Sequence, residues 1–132
     1  MNGLSSPLSL PKLVVGVIDD DPAMRAALVD LLDSAGFATR TFDSSDAFMA
    51  SGAAERSDVI ITDIQMPGSS GLDLLQTLKA TMRLCPPVIV ITALTDQALE
   101  GQAIKHGCHA FLRKPFDPET LLGLIDTVAE GL

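Results

Sequence analysis

Four short apolar runs in this sequence each end in a side chain able to do chemistry. Leu13 to Ile18 runs into Asp19-Asp20-Asp21, Val59 to Thr62 into Asp63, Val88 to Ile91 into Thr92, and Ala110 to Arg113 into Lys114. Ionised carboxylates are hard oxygen ligands for a divalent cation and also nucleophiles; a threonine hydroxyl donates a hydrogen bond, and an ammonium neutralises an anion. Together these types suit a reaction in which negative charge must be positioned and neutralised. Each is ordinary alone: a lone Asp at a strand end usually caps or turns, Thr is common in strands, and most lysines are solvated surface charges. Asp63 stands apart, because Gln65-Met66-Pro67-Gly68 cannot extend the run that precedes it. Its carboxylate is therefore expected at a strand tip, presented to solvent and not buried.

The elements that position these groups follow from the periodicity. Leu13 to Ile18 is continuously apolar, as a strand covered on both faces must be, with Gly16 a weak point or a place of close backbone approach. Asp21-Pro22 opens a helix, since Asp21 can accept from free N–H groups and Pro22 suits the first helical position, which makes Asp21 a cap and not a metal ligand. Met24, Ala27, Leu28, Leu31, Leu32 and Ala35 share one helical face, and Gly36 stands where a stop is expected. Phe37 to Phe42 reads as a short strand near a sheet edge, and Ser44 or Ser45 as the cap of a helix through Ala53 lined by Ala47, Phe48 and Ala50. After the central strand Val59 to Thr62, Leu72, Leu75 and Leu78 make the stripe of a helix following Gly71. Pro86-Pro87 forces an extended approach to Val88 to Ile91, and Thr95-Asp96 caps a short, lightly anchored helix with a poor apolar stripe. Asp117-Pro118 repeats the capping pattern ahead of Leu121, Leu124, Ile125 and Val128, a stripe read as core. Strand and helix alternate five times, which predicts a parallel α/β sheet with helices on both faces; a closed β/α barrel needs more units. Open sheets of this kind bind ligands at the C-terminal strand ends, where the Asp, Thr and Lys side chains fall.

Composition narrows the possibilities. At 132 residues and 47% hydrophobic content the chain has the size and the apolar mass of one domain. Residues 1–12, rich in Ser, Pro and Gly, read as a flexible leader, and 13–132 as the folded domain. A net charge of −8 argues against a phosphate-backbone surface, so nucleic acid is not an expected partner of this domain. Cys85 and Cys108 form no Cys-x-x-Cys pair, and no apolar run approaches the ~20 residues of a membrane span, so a reducing cytoplasm is expected and a membrane is not. The sequence ends at Leu132, just after the last expected helix, and no DNA-binding or enzymatic output unit is expected within it.

Taken in order, Val17-Ile18-Asp19-Asp20-Asp21-Pro22, Thr62-Asp63-Ile64-Gln65-Met66-Pro67-Gly68 with Ser70-Gly71-Leu72, Ile91-Thr92-Ala93 and Phe111-Leu112-Arg113-Lys114-Pro115-Phe116 resemble the CheY-like receiver domain of two-component response regulators. The match covers essentially the whole chain after the leader. The loop Met66-Pro67-Gly68-Ser69-Ser70-Gly71 is most like receivers of the nitrogen-fixation regulator type, which precede a helix-turn-helix output domain. The resemblance implies a three-layer (βα)5 doubly wound parallel sheet of flavodoxin-like fold with strand order 2-1-3-4-5, an order that comes from the family and not from the sequence pattern. In that order Asp19, Asp20 and Asp63 converge, and each carboxylate pair ~4 Å apart costs about 4 kcal/mol at an effective dielectric of ~20. One must be protonated, or a cation must sit among them; few carboxylates on an open site describe Mg²⁺.

By the same resemblance Asp63 is the phosphoacceptor, taking a phosphoryl group from the phosphohistidine of a sensor histidine kinase or a phosphotransfer protein. Asp20, Asp19, Asp63 and the Gln65 carbonyl hold Mg²⁺, with Mn²⁺ as a substitute. Thr92 donates to a phosphoryl oxygen, Ile64 and Ala93 offer backbone N–H contacts, Lys114 neutralises charge, and the Lys114–Pro115 bond is cis. Thr92 and Phe111 form the switch, the ring packing inward as Thr92 is drawn to the phosphate, with changed partner contacts or homodimerisation as the outcome. Phe111 lacks a hydroxyl, so switching rests on packing alone.

Two other functions share parts of this pattern. An aspartyl-nucleophile phosphatase or phosphotransferase uses the same Asp, Mg²⁺ and Lys but needs an acid two positions after the nucleophile, where Gln65 cannot protonate a leaving group. A flavin module of the same fold needs a Gly- and Ser-rich phosphate loop, and Asp19-Asp20-Asp21 in its place would repel the phosphate. His106-Gly107-Cys108-His109 lacks the four ligands of a closed zinc site, and Gly107 reads better as a helix stop. A signalling acceptor, not an enzyme, is the expectation.

Overall fold

The computed structural model describes residues 12–130; the expected leader falls, apart from Lys12, outside the described residues. The strands are β1 (Val14–Ile18), β2 (Ala38–Phe42), β3 (Val59–Asp63), β4 (Val88–Thr92) and β5 (Ala110–Arg113). The helices are α1 (Pro22–Ser34), α2 (Ser45–Ser51), α3 (Gly71–Thr81), α4 (Ala98–Lys105) and α5 (Pro118–Glu130), with a 3₁₀ turn at Ala53–Arg56. All strand pairs are parallel and the sheet order is β2-β1-β3-β4-β5. The strand alternation divides the core in two. Ile18, Ile60, Val88 and Val90 face Phe48, Leu72, Leu75 and Leu78 on the side of α2, α3 and α4. Val15, Val17, Val59, Ile61, Ile89 and Ile91 face Leu28, Leu32, Leu121 and Ile125 on the side of α1 and α5. Every residue of β3 and β4 is buried, as central strands covered twice require, and each buried aliphatic side chain contributes about 1.5–3 kcal/mol.

Register brings the tips level. Ile18 pairs with Thr62 and Asp63 with Ile91, so Asp19 follows β1 beside Asp63, and Thr92 pairs with Arg113, the residue before Lys114. Gly16 is a place of close approach, for a Cβ there would lie 2.9 Å from Ser57 Oγ and 3.1 Å from the Phe48 ring. The caps of α1 and α3 follow local chemistry. Asp21 accepts from Ala23 N–H at 3.0 Å ahead of Pro22, and Ser70 and Asp73 form a reciprocal capping box.

Three local expectations are corrected. The second helix stops at Ser51, where Gly52 turns the chain at φ +74°, and Ala53 lies in the 3₁₀ turn. Its inner face is Ser45 and Phe48, while Ala47 and Ala50 are exposed; Phe48 is the one large side chain it offers, and it meets Phe42 edge-on at 5.2 Å. Thr95 caps nothing: Asp96 alone accepts from Ala98 N–H, and α4 begins after Gln97 without a side-chain cap at that position. That helix is indeed short, with Ala103 its one buried residue and Ile104 60% exposed. Burial pushes the thiols of Cys85 and Cys108 up from their ordinary range. No described helix is long and apolar enough to cross a membrane.

Candidate functional site

Asp63 is held from both sides. Its Oδ1 accepts from the N–H of Ile64 at 2.6 Å, and its Oδ2 accepts from Lys114 Nζ at 3.0 Å. Lys114 donates equally to Asp19 Oδ2 at 2.9 Å, so one ammonium bridges the tips of β1 and β3 from the turn after β5. Asp19 spends its other oxygen on the N–H of Asp21 at 2.9 Å, and its own N–H donates to the carbonyl of Phe42 at 3.1 Å. Burial by itself pulls the Lys114 ammonium down, but the hydrogen bonds and charges of Asp19 and Asp63 outweigh it, and its pKa is raised. Lys114 is therefore fully charged at neutral pH.

The expected exposure of Asp63 is corrected: the residue is 8% exposed. The loop from Ile64 to Ser70 closes over it, and α3 starts against its backbone. Gly71 N–H donates to Ile64 O at 2.9 Å, and a Cβ at Gly71 would lie 1.9 Å from the Asp63 carbonyl oxygen. Access is through a polar cleft of about 420 Å³ lined by Asp20, Asp21, Asp63, Gln65, Pro67 and Lys114.

Asp19, Asp20 and Asp63 can each offer an oxygen within 4.8 Å of the others, and they are the one such group among the described residues. Hard oxygens on one side of an open cleft fit a small divalent cation that keeps part of its water. Asp21 is engaged as a cap, and the ligand atoms of His106, Cys108 and His109 do not come together as a group of three. Thr92 is fully buried; its hydroxyl accepts from Leu94 N–H at 3.1 Å, and its carbonyl accepts from Lys114 N–H at 2.8 Å. Gln65 is exposed in the polar cleft, Ala93 is exposed beside it on the side of Lys114 and Pro115, Phe111 is half-buried, and the Lys114–Pro115 bond is cis. A second, apolar cleft of about 510 Å³ adjoins Lys114, walled by Met24, Leu28 and Leu31 of α1 and by Pro115 and Phe116.

This arrangement of strand tips has counterparts among known proteins. Residues 15–126 match the family model described as the response regulator receiver domain. The chain belongs to that family. Among its relatives, the transcriptional regulatory protein FixJ of Bradyrhizobium diazoefficiens is 39% identical over 84% of this chain and 54% of its own length. FixJ of Azorhizobium caulinodans is 42% identical over 90% and 54%. The chain thus spans about half the length of these relatives. The crystal structure of FixJ-N superimposes with a TM-score of 0.81 at 32% identity, covering 93% of this chain and 98% of that one. A BeF3-activated DrrB receiver domain gives 0.82 at 26%, covering 91% and 99%.

Three residues of this receiver that shape the site have no assigned part in the sequence reading. Arg25 donates to the carbonyl of Asp19 at 2.7 Å and so pins the acidic turn; it is the only basic residue of α1, which is its one sequence signal. Gly71 is the contact that keeps α3 on Asp63. Arg113 donates to the carbonyls of Leu94 and Asp96, contacts that alternation along a strand does not announce.

Proposed function

We propose that this receiver accepts a phosphoryl group on Asp63 from the phosphohistidine of a sensor histidine kinase or phosphotransfer protein, and that the modified state changes its contacts with partners. The observation that carries this reading is Lys114 bridging Asp19 and Asp63 with Asp20 alongside, a cationic and anionic set on an open polar cleft. In the transfer the phosphorus–nitrogen bond to the donor imidazole breaks, and a bond from phosphorus to a carboxylate oxygen of Asp63 forms. The imidazole leaves carrying the electron pair and is protonated by solvent, and the product is an acyl phosphate. Such transfers need positioning and charge neutralisation more than covalent help. Lys114 supplies one charge, and Thr92 and the N–H groups of Ile64 and Ala93 are the donors for phosphoryl oxygens. A divalent cation, Mg²⁺ or Mn²⁺ in its place, would be held by Asp19, Asp20, Asp63 and the Gln65 carbonyl, and when bound it supplies neutralisation of phosphoryl charge.

The proposed downstream events are the Thr92 and Phe111 switch, altered partner binding or homodimerisation, and control of transcription in the cytoplasm. The names of the FixJ relatives, and the nearly half of their length that lies outside the match, support the transcriptional part. With acetyl phosphate the protein should gain one phosphoryl group per chain and then plateau, the gain vanishing on chelation and falling sharply in Asp20→Asn. Sustained hydrolysis of a phosphate ester would instead identify an aspartyl phosphatase and overturn the reading.

A further inference from the structure

We infer that Arg113 is a positioning residue for Thr92, a latch that holds the loop between β4 and α4 in its resting place and must release for the phosphorylated state to form. This rests on the reading of Asp63 as the acceptor and of Thr92 as the hydroxyl drawn toward it. Arg113 ends β5 directly opposite Thr92 in the parallel register. Its guanidinium donates through Nη1 to the carbonyl of Leu94 at 2.5 Å and through Nη2 to the carbonyl of Asp96 at 3.3 Å. The same Leu94 donates its N–H to Thr92 Oγ1, and the same Asp96 accepts from Ala98 N–H at the start of α4. One side chain thus ties the buried hydroxyl, the loop and the beginning of the least anchored helix together. It also lies over the Phe111 ring, 5.1 Å from its centroid, two residues earlier on the same side of β5. Both parts of the proposed switch are joined through this guanidinium.

The geometry fixes the sign. Movement of Thr92 toward a phosphoryl group withdraws the acceptor from Leu94 N–H and displaces the loop whose carbonyls Arg113 holds. A planar fork holds its donors in a fixed geometry that spans two carbonyls, whereas an ammonium must order a flexible stem and brings both acceptors to one nitrogen. Loss of the fork should therefore loosen the resting loop and ease adoption of the activated state. A lysine should restore only part of the hold.

The test compares the full chain with Arg113→Gln and Arg113→Lys, by amide hydrogen exchange and by titration with beryllofluoride in the presence of Mg²⁺. In Arg113→Gln, exchange from Leu94 to Leu99 should rise, and half-saturating beryllofluoride should fall, each by about tenfold, a typical coupling between two sites. Amides of β1 and β3 should be unchanged, and Arg113→Lys should lie between. Unchanged exchange in that segment, or unchanged or weaker beryllofluoride binding in Arg113→Gln, would overturn the latch. Failure of the wild type to bind beryllofluoride would count against Asp63 as acceptor, while exchange without the probe still decides the latch.

Discussion

Lys114 sets the electrostatics of the site, because its single charge answers two nearly buried carboxylates whose other oxygens are already engaged with backbone N–H groups. Lys114→Gln leaves Asp19 and Asp63 facing one another with no cation and should cost about 1–3 kcal/mol at neutral pH, read from urea unfolding. The pH dependence has a definite sign. The folded pKa of Lys114 is raised, so its contribution is complete below the unfolded value and is lost as pH rises through the folded one. The gap between wild type and variant should be flat from about pH 7 to about pH 9 and narrow only above the ordinary lysine range; a gap that closes below pH 9 would contradict the ion pairs. At this scale Asp19, Asp63, Thr92 and Lys114 were legible, because each is a reactive type placed where an apolar run ends. Arg25 and Arg113 were not. Their hydrogen bonds go to main-chain carbonyls on other elements, and any arginine can make such a bond.

Among the elements, the junction of β3 with α3 is the tightest. Gly71→Ala would drive a Cβ into the Asp63 carbonyl, a backbone atom that cannot yield like the end of a side chain. It should cost about 3 kcal/mol or more and displace the carboxylate as well. Gly101, inside α4, meets nothing within 4 Å, and Gly101→Ala should stabilise by about 0.5–1 kcal/mol through propensity alone. Paired unfolding curves check both, and equal effects of the two substitutions would contradict the contact. The strands, α1 and α3 were readable because their apolar periods are long and their caps are local. The second helix was misread because alanine satisfies an apolar pattern without filling a core, so that only Phe48 decides which way it faces. Leu74 was missed for the converse reason: α3 sits deep enough to bury a wider face than its narrow stripe shows.

The whole molecule is a device for bringing four strand ends to one place. Alternating strands and helices dictated the parallel sheet, but the order β2-β1-β3-β4-β5 that sets β1 against β3 depends on long-range pairing, and the family resemblance supplied it. Burial of Asp63 belongs to this scale also. A strand tip is exposed only until the loop and helix that follow fold back over it. In the function proposed above, this assembled site makes Asp63 a covalent acceptor. Labelling wild type and Asp63→Asn with acetyl phosphate and Mg²⁺ and then reducing with borohydride tests this most directly, because reduction cleaves the acyl phosphate, releases phosphate and leaves homoserine where the modified aspartate stood, a conversion that peptide mass analysis locates. That conversion should appear once, in the peptide of wild type that contains Asp63, and not in the variant; conversion of another residue in Asp63→Asn to the same extent would contradict Asp63 as the acceptor.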